Sequence, residues 1–132
     1  MSSRRRFIGK AVMAGTAAVT AASLSSFTDK KEFFIHHVYF WLKNPDSPED
    51  KTKLIEGLKK LSKVKTIRTF HMGQPAPTNR DVIDRSYSVS WLLFFDNKAD
   101  QDSYQADPIH LKFVEECSSL WTKVIVYDSI DL

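Results

Sequence analysis

The feature that most constrains this chain is the segment 33–42 (FFIHHVYFWL), which is apolar or aromatic at every position except two adjacent histidines. Successive side chains of a β-strand point to opposite faces of a sheet. One face would carry Phe33, Ile35, His37, Tyr39 and Trp41, and the other would carry Phe34, His36, Val38, Phe40 and Leu42. Because both faces are apolar, the segment predicts a strand that is covered on both sides.

The remaining sequence predicts further helices and strands. Ser47-Pro48 followed by two acids is typical of a helix start, because serine caps, proline suits the first turn and acids complement the helix dipole. Asp96 or Asn97, and then Asp107-Pro108, give similar starts for two short helices. The predicted order is strand 33–42, helix 47–62, strand 64–72, loop 73–85, strand 86–95, helix 97–106, a helix from residue 107, and strand 123–130.

Two β-α-β units of similar size predict a ferredoxin-like α+β sandwich, in which helices cover one face of a four-stranded antiparallel sheet. Alternation in the third strand places Tyr87 on the same face as Val89 and Trp91. The opposite faces of the first and third strands are also apolar, or aromatic beside small serines. A second copy packed sheet to sheet would bury that surface. We therefore expect a homodimer that closes into an α+β barrel.

Residues 1–28 have the three-part layout of an export signal, with a basic start, a small apolar stretch and small residues suited to a signal peptidase. The run SRRRFIGK at residues 3–10 is similar to the twin-arginine motif. The apolar stretch 11–22 is shorter than the ~20 residues of a membrane-spanning helix. These features predict that the twin-arginine translocase exports the folded domain, residues 29–132, to a bacterial periplasm.

Charge and cysteine content exclude several classes of function. The chain has 19 basic and 16 acidic residues, but four of the basic residues lie in the leader, and residues 29–132 have a net charge of −1. This part therefore has no basic excess to suggest nucleic acid. Cys117 is the only cysteine, which excludes an intramolecular disulfide and a cysteine-based metal cluster. The four histidines form no pattern typical of metal ligands, and we expect neither a metal nor another cofactor.

Tyr104 and His110 lie on either side of the Asp107-Pro108 helix break. Imidazole titrates near neutrality, so His110 can take a proton from a carbon acid. The break can bring the Tyr104 hydroxyl to the same cavity, where it would stabilise an enolate or orient the base. The alternative is structural: His110 forms a local hydrogen bond, and Tyr104 packs against the sheet.

The other histidines and the aromatic residues suggest further candidates. His36 and His37 point to opposite faces of a strand, so they cannot bind one metal together, and one of them is expected to be a buried, hydrogen-bonded histidine. Most aromatic residues are expected in the core or a dimer contact, but some can line an apolar cavity suited to a ring-sized ligand. The candidate ligand-binding residues are His37, Tyr39, Trp41, Trp91 and Phe113.

Three segments resemble the stress-responsive dimeric α+β barrel (Dabb) family: IHHVYFWL at 35–42, FFDN at 94–97, and above all YQADPIH at 104–110. The resemblance covers residues 31–130. It implies a ferredoxin-like fold, a homodimer and a pocket between the sheet and the helices of each subunit. Most members of the family have no assigned reaction.

A plant polyketide cyclase of this family works without metal or cofactor, and the resemblance places its catalytic tyrosine and histidine on Tyr104 and His110. Its strand-one histidine would fall on His37. The chain departs from the family at Asp107, where many members have histidine, and near Val89, where the cyclase has a second pocket histidine.

Two functions follow as hypotheses. The first is a small exported dimer whose pocket binds an apolar or aromatic metabolite. The second is a cofactor-free cyclase, isomerase or lyase acting on a ketide-like substrate, with His110 as general base and Tyr104 assisting. Monooxygenase activity of the quinol-oxidising type is a third, weaker hypothesis, because no residue pattern points to the substrate site of such an enzyme.

Overall fold

The computed structural model describes residues 32–132, so the predicted export signal at residues 1–28 lies outside the described residues. The elements are β1 (Phe34–Leu42), α1 (Pro48–Leu61), β2 (Thr69–Gly73), β3 (Val89–Phe95), α2 (Lys98–Ala106), α3 (Pro108–Cys117) and β4 (Trp121–Ile130), with a 3₁₀ turn at Ser118–Leu120. The order of helices and strands is the predicted one.

The three α-helices within residues 32–132 begin at side-chain caps. Ser47 accepts a hydrogen bond from the backbone N–H of Asp50 at 3.2 Å and starts α1. Of the two candidates for the start of α2, Asn97 is the cap. Asp107 accepts from the backbone N–H of Ile109 at 2.8 Å and starts α3. Each cap satisfies a backbone donor that has no partner within its own helix, so short-range sequence chemistry sets where the helices begin.

The four strands form one sheet in the order β2-β3-β1-β4, and each neighbouring pair is antiparallel. This topology and the helices on one face confirm the ferredoxin-like prediction. Along β1, alternate side chains are buried and half-buried. The buried set faces the helices, and the half-buried set forms what we call the open face. On the open face, Ile35, His37, Tyr39 and Trp41 of β1 lie beside Ser90, Leu92 and Phe94 of β3.

Two parts of the sheet differ from the prediction. The second strand begins at Thr69 rather than at residue 64, because Val64 and Ile67 form turn hydrogen bonds directly after α1. The third strand begins at Val89, and Tyr87 lies before it. The Tyr87 ring packs on the open face, 4.8 Å from the Tyr39 ring, and not on the helix-facing side. Ser86 bonds to Asp84 through both its N–H and its hydroxyl, and such local turns compete with strand pairing.

Gly57 allows α1 and α3 to approach each other closely. A Cβ atom at this position would lie 2.6 Å from Cys117 Sγ and 3.2 Å from ring carbons of Phe113. We expect Gly57→Ala to lower the free energy of unfolding by about 1 kcal/mol, because overpacking costs about 1–3 kcal/mol and the better helix propensity of alanine offsets about 1 kcal/mol. Urea unfolding measures the change.

The matched comparison is the same Gly57→Ala substitution in a Cys117→Ala background. Without Sγ the clash is relieved, so Gly57→Ala should cost less there than in the natural sequence. Equal costs in the two backgrounds would show that contact with Cys117 is not the cause.

Candidate functional site

A cavity of about 160 Å³ lies between the sheet and the helices. Its wall is mainly apolar, with a small group of polar rings. The lining residues are His36, Val38, Phe40, Leu61, Trp91, Tyr104, Gln105, His110, Phe113, Val114, Trp121, Val124 and Val126. Val114, Val124 and Val126 are also about 40% exposed, at 39%, 42% and 43%. These three valines therefore form the mouth of the cavity.

Tyr104 comes from the last turns of α2 and is almost completely buried, at 1% exposure. Its hydroxyl oxygen lies 3.2 Å from Trp91 Nε1, which donates a hydrogen bond to it. Burial raises the pKa of Tyr104 far above its usual value of about 10, so the hydroxyl keeps its proton at neutral pH. Tyr104 is therefore equipped to donate a hydrogen bond rather than to act as a base.

His110 lies in the first turn of α3, and its ring centroid is 4.8 Å from that of Tyr104. The helix break therefore brings together the two residues that the sequence proposed as a pair. Burial lowers the pKa of His110, and His36 lowers it further, whereas the Gln105 backbone and Asp107 raise it. The Nδ1 atom of His110 is buried and has no hydrogen-bond partner among the described residues. This orphaned nitrogen marks a place where a ligand group would be satisfied.

His36 is the third polar ring in the wall, and its place at the cavity is not among the sequence predictions. Its Nδ1 atom lies 2.6 Å from Asp128 Oδ1 on the neighbouring strand β4. A carboxylate accepts hydrogen bonds, so Nδ1 is the donor in this contact, which fixes the orientation of the His36 ring. The His36 and Tyr104 rings make an edge-to-face contact, with centroids 5.8 Å apart. In the register of β1 and β4, His36 is directly opposite Asp128.

The strand-one histidine at this cavity is thus His36 and not His37, which was the residue assigned by resemblance. His37, Tyr39 and Trp41 lie on the open face, where His37 Nδ1 is 3.2 Å from the Tyr39 hydroxyl. Burial, with His71 and His36 nearby, lowers the pKa of His37. Strand alternation separates these three residues from Tyr104 and His110. They do not line the cavity between the sheet and the helices.

Two other candidate ligand-binding residues, Trp91 and Phe113, do lie in the cavity wall. Val89, at the place of the cyclase's second pocket histidine, is buried in the core and is not among the lining residues. Within residues 32–132, no cluster of histidine, cysteine, aspartate or glutamate is arranged to hold a metal ion. In the same part of the chain, no helix has the length and apolar character needed to cross a membrane.

The burial of His110 predicts a pH-dependent stability. Its pKa in the folded protein lies below the value of about 6.5 in the unfolded chain. The unfolded chain therefore binds more protons as the pH falls from about 7 toward the lowered pKa, and the free energy of unfolding decreases over that window. Above about pH 7 the contribution of neutral His110 is complete.

Urea unfolding between pH 5 and pH 8 measures this dependence. We expect His110→Gln to reduce the loss of stability on acidification, and a further reduction when His37→Gln is added, because the pKa of His37 is also lowered. A His110→Gln variant that keeps the full pH dependence of the natural sequence would show that His110 is not a source of this dependence.

Comparison with known proteins places this geometry in context. Residues 34–131 match the family model described as the stress responsive A/B barrel domain, Dabb. A search of curated proteins finds no match. A Dabb family protein with a ferredoxin-like fold from Mesorhizobium loti is 21% identical, with a TM-score of 0.65 over 77% of this chain and 99% of that one.

Two other solved structures have the same fold. A hydroxynitrile lyase from Passiflora edulis is 20% identical, with a TM-score of 0.64 over 78% of this chain and 96% of that one. A dimeric ferredoxin-like protein of unknown function from Thermobifida fusca is 14% identical, with a TM-score of 0.62 over 76% and 92% of the two chains. With the family match covering nearly all of the described residues, the chain belongs to the stress responsive A/B barrel domain family.

Proposed function

We propose that this protein binds a small, mainly apolar molecule, about one aromatic ring in size, in the cavity beside Tyr104 and His110. The cavity volume of about 160 Å³ is close to that of the apolar cavity of roughly 150 Å³ that holds benzene in an engineered protein. The observation that carries the proposal is the buried Nδ1 atom of His110, which has no hydrogen-bond partner among the described residues and lies in a mainly apolar wall. A polar group on the ligand would satisfy that nitrogen.

The proposal includes a homodimer exported through the twin-arginine route. The half-buried apolar residues of the open face and the dimeric state of the Thermobifida fusca relative support sheet-to-sheet pairing. The motif at residues 3–10 supports export to the periplasm by the translocase.

Acetophenone is a suitable probe, because it consists of one ring and one carbonyl group. We expect it to bind the folded protein, as measured by calorimetric or NMR titration. Val126→Trp should block binding, since Val126 lies at the mouth of the cavity and a tryptophan would fill it. Ile130→Trp is the matched control: Ile130 is an exposed residue of the same strand and does not line the cavity.

A second candidate function is proton transfer on a ketide-like or other carbonyl compound, without a cofactor. The 4.8 Å contact between the Tyr104 and His110 rings favours it, because it places an imidazole that can accept a proton beside a hydroxyl that can donate a hydrogen bond. In this function neutral His110 takes a proton from the carbon next to the carbonyl. The C–H electron pair forms the new C=C bond, the π pair of the C=O bond moves to the oxygen, and Tyr104 stabilises the resulting enolate. The hydroxynitrile lyase of the same fold adds support that such a scaffold hosts catalysis.

A further inference from the structure

We infer that Trp91 is a positioning residue that commits the Tyr104 hydroxyl to donate its proton into the cavity; this inference rests on the proposed binding function. Trp91 lies in β3, is 1% exposed, and its Nε1 atom is 3.2 Å from the Tyr104 hydroxyl oxygen. An indole nitrogen carries a hydrogen and has no lone pair to share, so Trp91 only donates. The Tyr104 oxygen is therefore the acceptor in this hydrogen bond.

Because the oxygen already accepts a hydrogen bond from Trp91, the Tyr104 hydroxyl is left with its own hydrogen to donate. This oxygen forms no other hydrogen bond within residues 32–132, so its own hydrogen has no acceptor in that part of the chain. A buried donor without a partner is costly. A ligand oxygen in the cavity removes that cost, whereas a ligand group that only donates does not. The site therefore selects molecules with a carbonyl or a similar acceptor over hydrocarbons of the same shape.

Aromatic packing holds both partners in place. The Tyr104 ring lies 5.2 Å from the Phe95 ring, and the Trp91 ring lies 5.2 Å from the Phe70 ring. These contacts fix the two rings, but they do not fix the rotation of the hydroxyl group. The indole N–H fixes this rotation, because it donates to a lone pair of the Tyr104 oxygen and the hydroxyl hydrogen must then point elsewhere. A phenylalanine at position 91 would retain most of the ring packing and leave the hydroxyl free to accept as well as to donate.

The first test needs no ligand. In ¹H–¹⁵N spectra, Tyr104→Phe should shift the Trp91 indole N–H resonance toward values of a non-hydrogen-bonded indole. The Trp41 indole donates to Ser86 at 3.0 Å on the open face, so its resonance should stay in place. An unchanged Trp91 resonance in the Tyr104→Phe variant would overturn the inference.

The second test compares acetophenone with ethylbenzene, which has nearly the same shape and no acceptor. The natural sequence should prefer acetophenone, and Trp91→Phe should reduce that preference by about three- to tenfold, as expected for one hydrogen bond. Trp41→Phe is the matched control, since Trp41 lies on the open face and its indole donates to Ser86 rather than to Tyr104. A preference that survives Trp91→Phe unchanged would refute the positioning role.

The two proposals fail in different ways. Absence of acetophenone binding together with a shifted Trp91 resonance would refute the binding function and leave the Trp91–Tyr104 geometry supported. Normal acetophenone binding with no effect of Trp91→Phe on the preference would refute the positioning role alone.

Discussion

Replacing His110 with alanine should slow deuterium uptake into the methyl group of acetophenone by about 10²–10⁴-fold, if the cavity catalyses proton transfer. In D₂O a base removes a methyl proton, the enolate forms, and solvent deuterium returns to the carbon. His110 is placed for this step by its 4.8 Å ring contact with Tyr104, and burial lowers its pKa, which keeps the imidazole neutral and able to accept a proton. ¹H NMR follows the loss of the methyl signal directly.

The matched control is His71→Ala. His71 is an exposed histidine of β2 that pairs with Leu92 on the open face, away from the cavity. This variant should exchange acetophenone protons at the rate of the natural sequence. Equal exchange rates for the His110→Ala variant and the natural sequence would refute catalysis by His110, and binding would remain as the function.

If two subunits pair through the open face as proposed, replacing Leu92 with lysine should give a monomer. Leu92 is half-buried near the middle of the open face, paired with His37 on one side and His71 on the other. In a sheet-to-sheet dimer the added ammonium group would be buried without a partner, which costs several kcal/mol per ion. In the monomer the same group remains in contact with water. Light scattering coupled to size-exclusion chromatography measures the change in mass.

Val82→Lys serves as the control, because it introduces the same charge at a loop residue that is 80% exposed. This variant should remain a dimer. A Leu92→Lys variant that also remains dimeric would show that the subunits pair through a surface other than the open face.

Local chemistry explains why much of the fold follows from the sequence. Ser47, Asn97 and Asp107 cap the α-helices at the predicted places, because a cap depends only on residues two or three positions away. The two faces of β1 follow from strand alternation. Tyr104 and His110 come together because the break between α2 and α3, at Asp107, lies between them and turns the chain.

Features that depend on distant partners could not be predicted in the same way. Alternation separates His36 from His37 but does not say which face of β1 the helices cover. That choice is set by long-range packing, and it selects His36 for the cavity. The partner of His36 is Asp128, 92 residues later in the chain, and only the register of β1 and β4 reveals it. Strand alternation predicts the wrong face for Tyr87, because the local hydrogen bonds of Ser86 delay the start of β3.

We expect a small molecule to bind on the helix-covered side of the sheet and not on the open face. Intermolecular nuclear Overhauser effects from ¹³C-labelled acetophenone locate the ligand in solution. Contacts from its methyl and ring protons to Tyr104, Phe113 and Val126 are the predicted result, since these residues line the cavity. Contacts to Tyr39 and Trp41 instead would place the ligand on the open face and refute binding in the cavity.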